Sequence, residues 1–285
     1  MCYSRRRSKS MSWGKENRLR RIFQKDGRTL MLAADHGYFM GPTTRLEDPR
    51  KTLTPLLPFV DVLMTTRGVL RNCIDPKSGI PVVLRVSGGP TMAREPRVLE
   101  DEWLTTSIEE AIRLNTAAVA LQTFSGSPYE SRTIKNLSEL ANEGERYGIP
   151  VLGVVALGDE YTNKSNDSRY LAMACRILAE NGASFVKTYY PEEGFDKMVN
   201  SAMVPLVVAG GPQPKDPKLD KDLATFQLAY NAIQQGAAGL DFGRKVWQSD
   251  HPIAVAKALY SIVHEKHTAK EAYDLFNKLK SEKKQ

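Results

Sequence analysis

Apolar residues in this chain fall into eight short runs, each closed by a glycine or a polar turn. They are TLMLAADHG (29–37), VDVLMTTRG (60–68), PVVLRVSGG (81–89), AAVALQTFSG (117–126), PVLGVVALG (150–158), SFVKTYY (184–190), PLVVAGG (205–211) and AGLDFGR (238–244). Most do not alternate apolar with polar, which is the pattern of parallel strands covered on both faces. Between most of them the apolar period becomes that of a helix. Residues 131–148 place Ile134, Leu137, Leu140 and Ala141 on one face and stop at Gly148. Residues 167–182 offer Asp167 as N-cap and Gly182 past the end, and residues 220–236 repeat the form. Residues 251–265 carry Pro252 just inside a helix start. The segments after the second and third runs show no clear helical period.

Eight strands alternating with helices in 285 residues predict the α/β class and a single-domain (β/α)8 TIM barrel over residues 13–285. A doubly wound open sheet shares the alternation. The count of eight and the lack of a GxGxxG after the first run favour the barrel. WGKENRLRRIF (13–23) is expected as a short helix closing the barrel's bottom. HTAKEAYDLFNKLK (267–280) is expected as an extra C-terminal helix, packed outside the barrel or against a neighbouring subunit. Residues 1–12 read as a flexible basic arm or a misplaced start, with Met11 as the alternative first residue.

The net charge of +7 changes this picture little once it is located. Residues 1–10 carry four of the positive charges and residues 278–285 a net three, so residues 11–277 are neutral overall. A nucleic-acid-binding domain would carry its basic patch on the folded body, so no nucleic-acid partner is expected. Three scattered cysteines (Cys2, Cys73, Cys175) without a CxxC argue against a disulfide framework or a zinc site and for a reducing, cytoplasmic setting. Cys175 lies on a helix's apolar face and reads as core. His264 and His267 lack a third ligand, so no metal site is expected. No apolar run approaches the roughly 18 residues that span a bilayer, so no membrane partner is expected.

In such a barrel the chemistry sits at the C-terminal ends of the strands. Those ends carry Asp35 and His36 on the first, Arg85 on the third and Lys187 with Tyr189 and Tyr190 on the sixth. The seventh ends in Gly210-Gly211 and the eighth in Gly243-Arg244. Glycines after strands seven and eight, with a helix N-terminus, suit a phosphate cradle, because a side chain would block backbone approach to the anion. Arg244 adds a charge-assisted contact.

Lys187 stands in an otherwise buried strand. A lysine there snorkels, pairs with a carboxylate, or acts as an amine nucleophile; a Schiff-base role and a structural ion pair both remain open on spacing alone. Arg85 and Arg244 are the candidate cations that would depress its pKa. Asp35 is a candidate partner that would position the amine or move protons, and Asp241, within the eighth strand, is an alternative buried partner. His36 either touches substrate or holds Asp35 in place.

These strand ends resemble the DhnA-type class I aldolases, which include the archaeal-type fructose-bisphosphate aldolases. ADHG, FVKTYY, VVAGG and DFGR all look like that family's signatures, and the resemblance spans about residues 13–277. It implies Lys187 as the Schiff-base lysine, Gly210, Gly211, Gly243 and Arg244 around a substrate phosphate, and Asp35 lining the site; His36 and Arg85 are further candidate substrate- or phosphate-binding residues read from the strand ends. DHGYFMGPTT (35–44), DVLMTTRGVLR (61–71) and GRKVWQSDHP (243–252) are most similar to a thiolase branch of the family.

One departure separates the branches. The sugar-phosphate aldolases of the family carry a proton-transferring tyrosine at the end of strand five, where this chain has Ala156 in VVALG (154–158). Its absence weakens an aldol cleavage, which needs an acid/base for the substrate hydroxyl. It suits a thiolase, which breaks the bond between two carbonyl-bearing carbons and passes the acyl fragment to coenzyme A as co-substrate, with no bound cofactor. An aldolase acting on fructose bisphosphate or a related sugar phosphate, and a catalytically silent barrel used as a binding or assembly module, are the alternatives. The resemblance also implies a homo-oligomer, a decamer in much of the family. The polar segment 159–167 is the one candidate for contact with coenzyme A.

Overall fold

Each of the eight apolar runs contains a strand in the computed structural model, which describes residues 12–89, 101–158, 163–211 and 220–282. The strands are β1 (Thr29–Ala33), β2 (Val62–Thr66), β3 (Val82–Arg85), β4 (Ala118–Ser125), β5 (Val151–Leu157), β6 (Phe185–Thr188), β7 (Leu206–Ala209) and β8 (Gly239–Phe242). They are all parallel and follow one another round a closed barrel, with β8 paired back onto β1. The predicted (β/α)8 barrel is therefore the observed fold. Closure leaves no strand edge unpaired, and each strand is apolar on both faces because each meets a core on both.

Those two cores are distinct. Leu30, Leu32, Leu63, Leu84, Val186 and Leu240 point outward under the helices. Met31, Val62, Met64, Val83, Leu152, Phe185 and Val207 point inward and fill the barrel. Leu19, Ile22 and Phe23 join this inner cluster from the helix Trp13–Ile22 and its end, and Phe23 packs edge-on against Phe185 with ring centroids 5.5 Å apart. The N-terminal helix thus plugs the bottom of the barrel, as expected.

Helices Glu130–Tyr147, Ser168–Glu180, Lys221–Gln234 and Pro252–His264 lie where the periodicity places them. Asp167 and Asp220 cap two of them by accepting from backbone N–H groups, and Pro252 opens the fourth. The C-terminal helix Ala269–Glu282 packs on the outside, with Phe276 and Tyr273 against Phe226. Two irregular connections are now explained. After β2 the helix is Arg67–Cys73, capped at once by Thr66; after β3 a two-stranded ribbon, Ser87–Gly88 against Trp103–Leu104, precedes the helix Ile108–Arg113. Helices of seven and six residues span too few turns for an apolar period to stand out. Cys175 is fully buried, and burial pushes its thiol up to about 12. Among the described residues no helix is long and apolar enough to cross a membrane. Of the expected basic arm or misplaced start at residues 1–12, residues 1–11 lie outside the described residues, and Ser12 caps the helix Trp13–Ile22.

Candidate active site

Strand parity decides what faces the barrel's mouth. On β6, Phe185 points in and Val186 out, so Lys187 points in. On β3, Val83 points in, and so do Arg85 and, past the strand, Ser87. On β1 the inward series Met31 and Ala33 continues to Asp35. On β8, Leu240 and Phe242 point out and Asp241 points in. Polar residues at these positions are tolerated because they meet one another.

The ammonium of Lys187 lies 2.8 Å from Oδ2 of Asp241, whose side chain is wholly buried. The two come from alternate strands of the barrel. Lys187 is in register with Val207, and Val207 with Gly239, two residues below Asp241. The strands' tilt brings residues of alternate strands into one layer across such an offset, so lysine and aspartate meet at the same height. Burial, the largest influence, lifts the Asp241 carboxyl above the ordinary range despite the pull of Lys187. Its Oδ1 accepts no hydrogen bond among the described residues.

Asp35 is held elsewhere. Arg85 donates from Nε to Asp35 Oδ2 at 2.9 Å, and its Nη2 lies 2.8 Å from the same oxygen, with both side chains buried. Burial pushes Asp35 up, but Arg85, His36 and Lys187 together outweigh it and hold the carboxyl below its usual value. The Arg85 guanidinium also lies over the Tyr38 ring, 5.3 Å from its centroid. Tyr38 donates to Glu102 at 2.5 Å, Ser87 donates to the other Glu102 oxygen at 2.5 Å, and the Gln122 N–H donates to Ser87 Oγ at 3.1 Å. Burial raises Glu102 above the ordinary range against Arg85 and these hydrogen bonds.

His36 sits beside this group with Nδ1 3.7 Å from Asp35 Oδ1 and its ring edge-on to Trp247 at 5.4 Å. Burial lowers its pKa to about 4, and Lys187, Arg244 and Arg85 oppose the attraction of Asp35. The imidazole is therefore neutral near pH 7.

The glycine ends of β7 and β8 need glycine for different reasons. A Cβ on Gly243 would stand 2.6 Å from the Ala33 carbonyl oxygen and 2.7 Å from His36 Cε1, so the position admits no side chain. Gly211 has open space but a φ of +67°, the left-handed region. Arg244 begins the short helix Arg244–Trp247, and its buried Nε has no hydrogen-bond partner among the described residues. Lys245 is also buried, and its Cδ lies 3.2 Å from where a Gly210 Cβ would stand. Burial first, then Arg244, depresses the Lys245 amine. Two cations beside glycine backbone suit an anionic phosphate.

The structure thus brings Asp35, Lys187, Arg85 and Arg244 within electrostatic reach of His36, which lies against Gly243, while Gly210 lies against Lys245. It decides between the two candidate carboxylates: the partner of Lys187 is Asp241, and Asp35 pairs with Arg85. Sequence reasoning overlooked Tyr38, Glu102 and Lys245 and gave Ser87, at the end of the third strand, no role. The inward parity of Ser87 was readable, whereas Glu102 reaches the site only through the ribbon. At the end of β5 the inward position is Ala156, so no titratable side chain stands there.

Comparison with known proteins gives a consistent picture. A profile described as DeoC/LacD family aldolase matches residues 29–249. The 3-hydroxy-5-phosphonooxypentane-2,4-dione thiolase of Photorhabdus laumondii is 44% identical over 268 residues, covering 94% of this chain and 88% of that protein. The protein of the same name from Klebsiella pneumoniae is 47% identical over 272 residues, covering 95% and 88%. A solved Schiff base forming fructose-1,6-bisphosphate aldolase superposes with a TM-score of 0.76 at 25% identity, covering 88% of this chain and all of that one.

Proposed function

This chain belongs to the DeoC/LacD aldolase family, and on that premise we propose that it is a Schiff-base enzyme that cleaves a carbon–carbon bond of a phosphorylated ketone. The substrate is 3-hydroxy-5-phosphonooxypentane-2,4-dione, the acyl acceptor is coenzyme A, and the products are acetyl-CoA and glycerone phosphate. The observation that carries the reading is the inward Lys187, with its amine 2.8 Å from a buried carboxylate of raised pKa.

The chemistry follows from that pair. The amine of Lys187 attacks the ketone next to the phosphate-bearing carbon. Asp241 takes up the proton the amine must lose and returns one as water leaves. The iminium is an electron sink. Thiolate attack on the acetyl carbonyl then lets the bond between the acetyl carbon and the hydroxyl-bearing carbon break. Its electron pair moves into the iminium, forming an enamine. Protonation of the enamine and hydrolysis free glycerone phosphate and restore the lysine. No proton is taken from the substrate hydroxyl, so Ala156 at the end of β5 is no obstacle. A sugar-phosphate aldolase would need an acid or base at that place, and this observation favours the thiolase reading.

The phosphate is held by backbone at Gly210, Gly211 and Gly243 with Arg244 and Lys245. A cavity of about 680 Å³ opens beside this cradle, between Tyr189, Tyr190 and the helix Lys221–Gln234. It offers room for the coenzyme A arm, and Ser165 and Asn166 of the polar segment 159–167 line it; residues 159–162 lie outside the described residues. Trp13, Met173 and Met203, all more than half exposed, fit assembly with further copies of the chain, which light scattering on the purified protein would measure.

The test has two arms. Glycerone phosphate with borohydride should add one reduced adduct to the intact mass, on Lys187. The dione phosphate with coenzyme A should yield acetyl-CoA. No adduct, and no acetyl-CoA above a Lys187→Ala control, would overturn the reading.

A further inference from the structure

Resting on that reading, we propose that a second cavity, at the end of β3, is the acyl subsite. It receives the acetyl end of the dione, and Arg85 Nη1 donates to the carbonyl oxygen that becomes an oxyanion when the thiolate attacks.

The cavity has a volume of about 210 Å³ and is lined by Tyr38, Thr66, Arg85, Ser87, Gly88 and Thr105, among others. Arg85 is 5% exposed, and its guanidinium is fixed on three sides. Nε and Nη2 are spent on Asp35, and the flat face lies over Tyr38. Tyr38 is itself pinned by Glu102, and Glu102 by Ser87. Nη1 alone is left, buried and without a hydrogen-bond partner among the described residues. A buried donor without an acceptor is costly unless a ligand supplies one. A donor locked before the reaction stabilises developing charge without reorganising at that moment.

Charge distinguishes this place from the phosphate cradle. The buried Arg85 charge is matched by Asp35, while Arg67 at the cavity's half-exposed rim lies 3.1 Å from Glu110, a carboxylate that Arg71 shares at 2.8 Å. The buried cation is therefore not free for a phosphate dianion. A neutral carbonyl that gains charge only in the transition state fits a paired guanidinium whose Nη1 amino group is idle.

In the step assigned to this subsite, the thiolate sulfur bonds to the acetyl carbon and the carbonyl π pair moves to oxygen, where Nη1–H holds it. On collapse the oxygen re-forms its double bond, and the carbon–carbon pair passes to the enamine on Lys187. The proton lost by the thiol equals the one gained by the enamine carbon. The volume exceeds the need of an acetyl group, being roughly that of seven waters at about 30 Å³ each, so a propanoyl end also fits.

The experiment uses the full-length protein and two variants. Arg85→Lys keeps a cation for Asp35 but loses the planar fork. It should lower kcat for acetyl-CoA formation by about 10²–10³ with KM little changed, while borohydride trapping of glycerone phosphate, which has no acyl end, stays near wild type. Gly88→Val tests the cavity without touching the arginine pair. A Gly88 Cβ would meet Tyr38 Cδ2 at 3.5 Å and Thr105 Cγ2 at 3.7 Å, ordinary contact, so a Cβ is accommodated at this cavity-lining position. It should cut turnover of the propanoyl homologue far more than that of the acetyl substrate. Trapping and acyl transfer falling in parallel in Arg85→Lys would make Arg85 only the support of Asp35, and an unchanged propanoyl-to-acetyl ratio in Gly88→Val would place the acyl end elsewhere. Either result overturns the proposal. A wild-type protein that traps glycerone phosphate but makes no acetyl-CoA would instead overturn the thiolase reading on which it rests.

Discussion

Lys187 on β6 and Asp241 on β8 face each other across the barrel's mouth at 2.8 Å, with β7 between their strands. Each compensates the other's burial, so removing one leaves a charge stranded, at a cost of about 3–5 kcal/mol. Asp241→Asn keeps the shape and removes the proton carrier. Borohydride trapping with glycerone phosphate at pH 7 should slow by about 10²-fold, with the fold retained by circular dichroism. Trapping at the wild-type rate would show that Asp241 only balances charge.

Arg244 should act on phosphate and not on carbonyl chemistry. Arg244→Ala should raise KM for the phosphorylated dione by about 10- to 100-fold, the range of a lost charged hydrogen bond. Slow trapping of unphosphorylated glycerone should be unaffected. Equal losses with both compounds would remove Arg244 from the cradle.

At the opposite end of the barrel, His264 bridges two carboxylates, with Nδ1 2.8 Å from Asp26 and Nε2 2.9 Å from Asp61. Burial opposes the charged imidazolium, but Asp61 and Asp26 outweigh it, so the folded pKa lies above 6.5. The folded state then binds the proton more tightly than the unfolded chain. This stabilisation is complete below pH 6.5 and is lost as pH rises through the folded pKa. Melting temperatures above pH 6.5 should fall less steeply in His264→Gln than in wild type; identical slopes would show that the bridge carries no proton.

His36 runs the other way. Its folded pKa of about 4 lies below the ordinary 6.5, so the unfolded chain takes up the proton first. Stability falls as pH drops through 6.5 and this contribution stops falling near 4, a loss of about 3 kcal/mol across the window. Denaturant titrations of His36→Gln should show that acid-side loss reduced. A wild-type slope in the variant would contradict the neutral imidazole.

Much of the site was legible along the chain. Lys187 stood out as a cation in an apolar strand, Gly210-Gly211 and Gly243 as the two glycine ends, and Asp35 and Arg85 as polar residues at strand ends. What stayed open was partnership. Asp35 and Asp241 are both carboxylates at inward positions, and spacing cannot rank them. The ranking comes from the offset between β6 and β8, set by the tilt of a closed barrel. Glu102 was hidden for another reason: it flanks a two-residue ribbon strand too short to show a pattern, yet its carboxylate is buried between Tyr38 and Ser87.

The sequence by itself determined the eight strands, the longer helices with their caps, the plugging N-terminal helix and the lysine. Each is written in a local period, a capping residue or a single misplaced charge, and local free energies act over a few residues. Only the tertiary structure decided that Asp241 holds Lys187, that Asp35 is given to Arg85, and that Nη1 of Arg85, a residue lining a cavity, is left buried without a partner among the described residues. Those facts depend on closure of β8 onto β1, which brings distant residues into one layer and excludes the water that would otherwise have paired them.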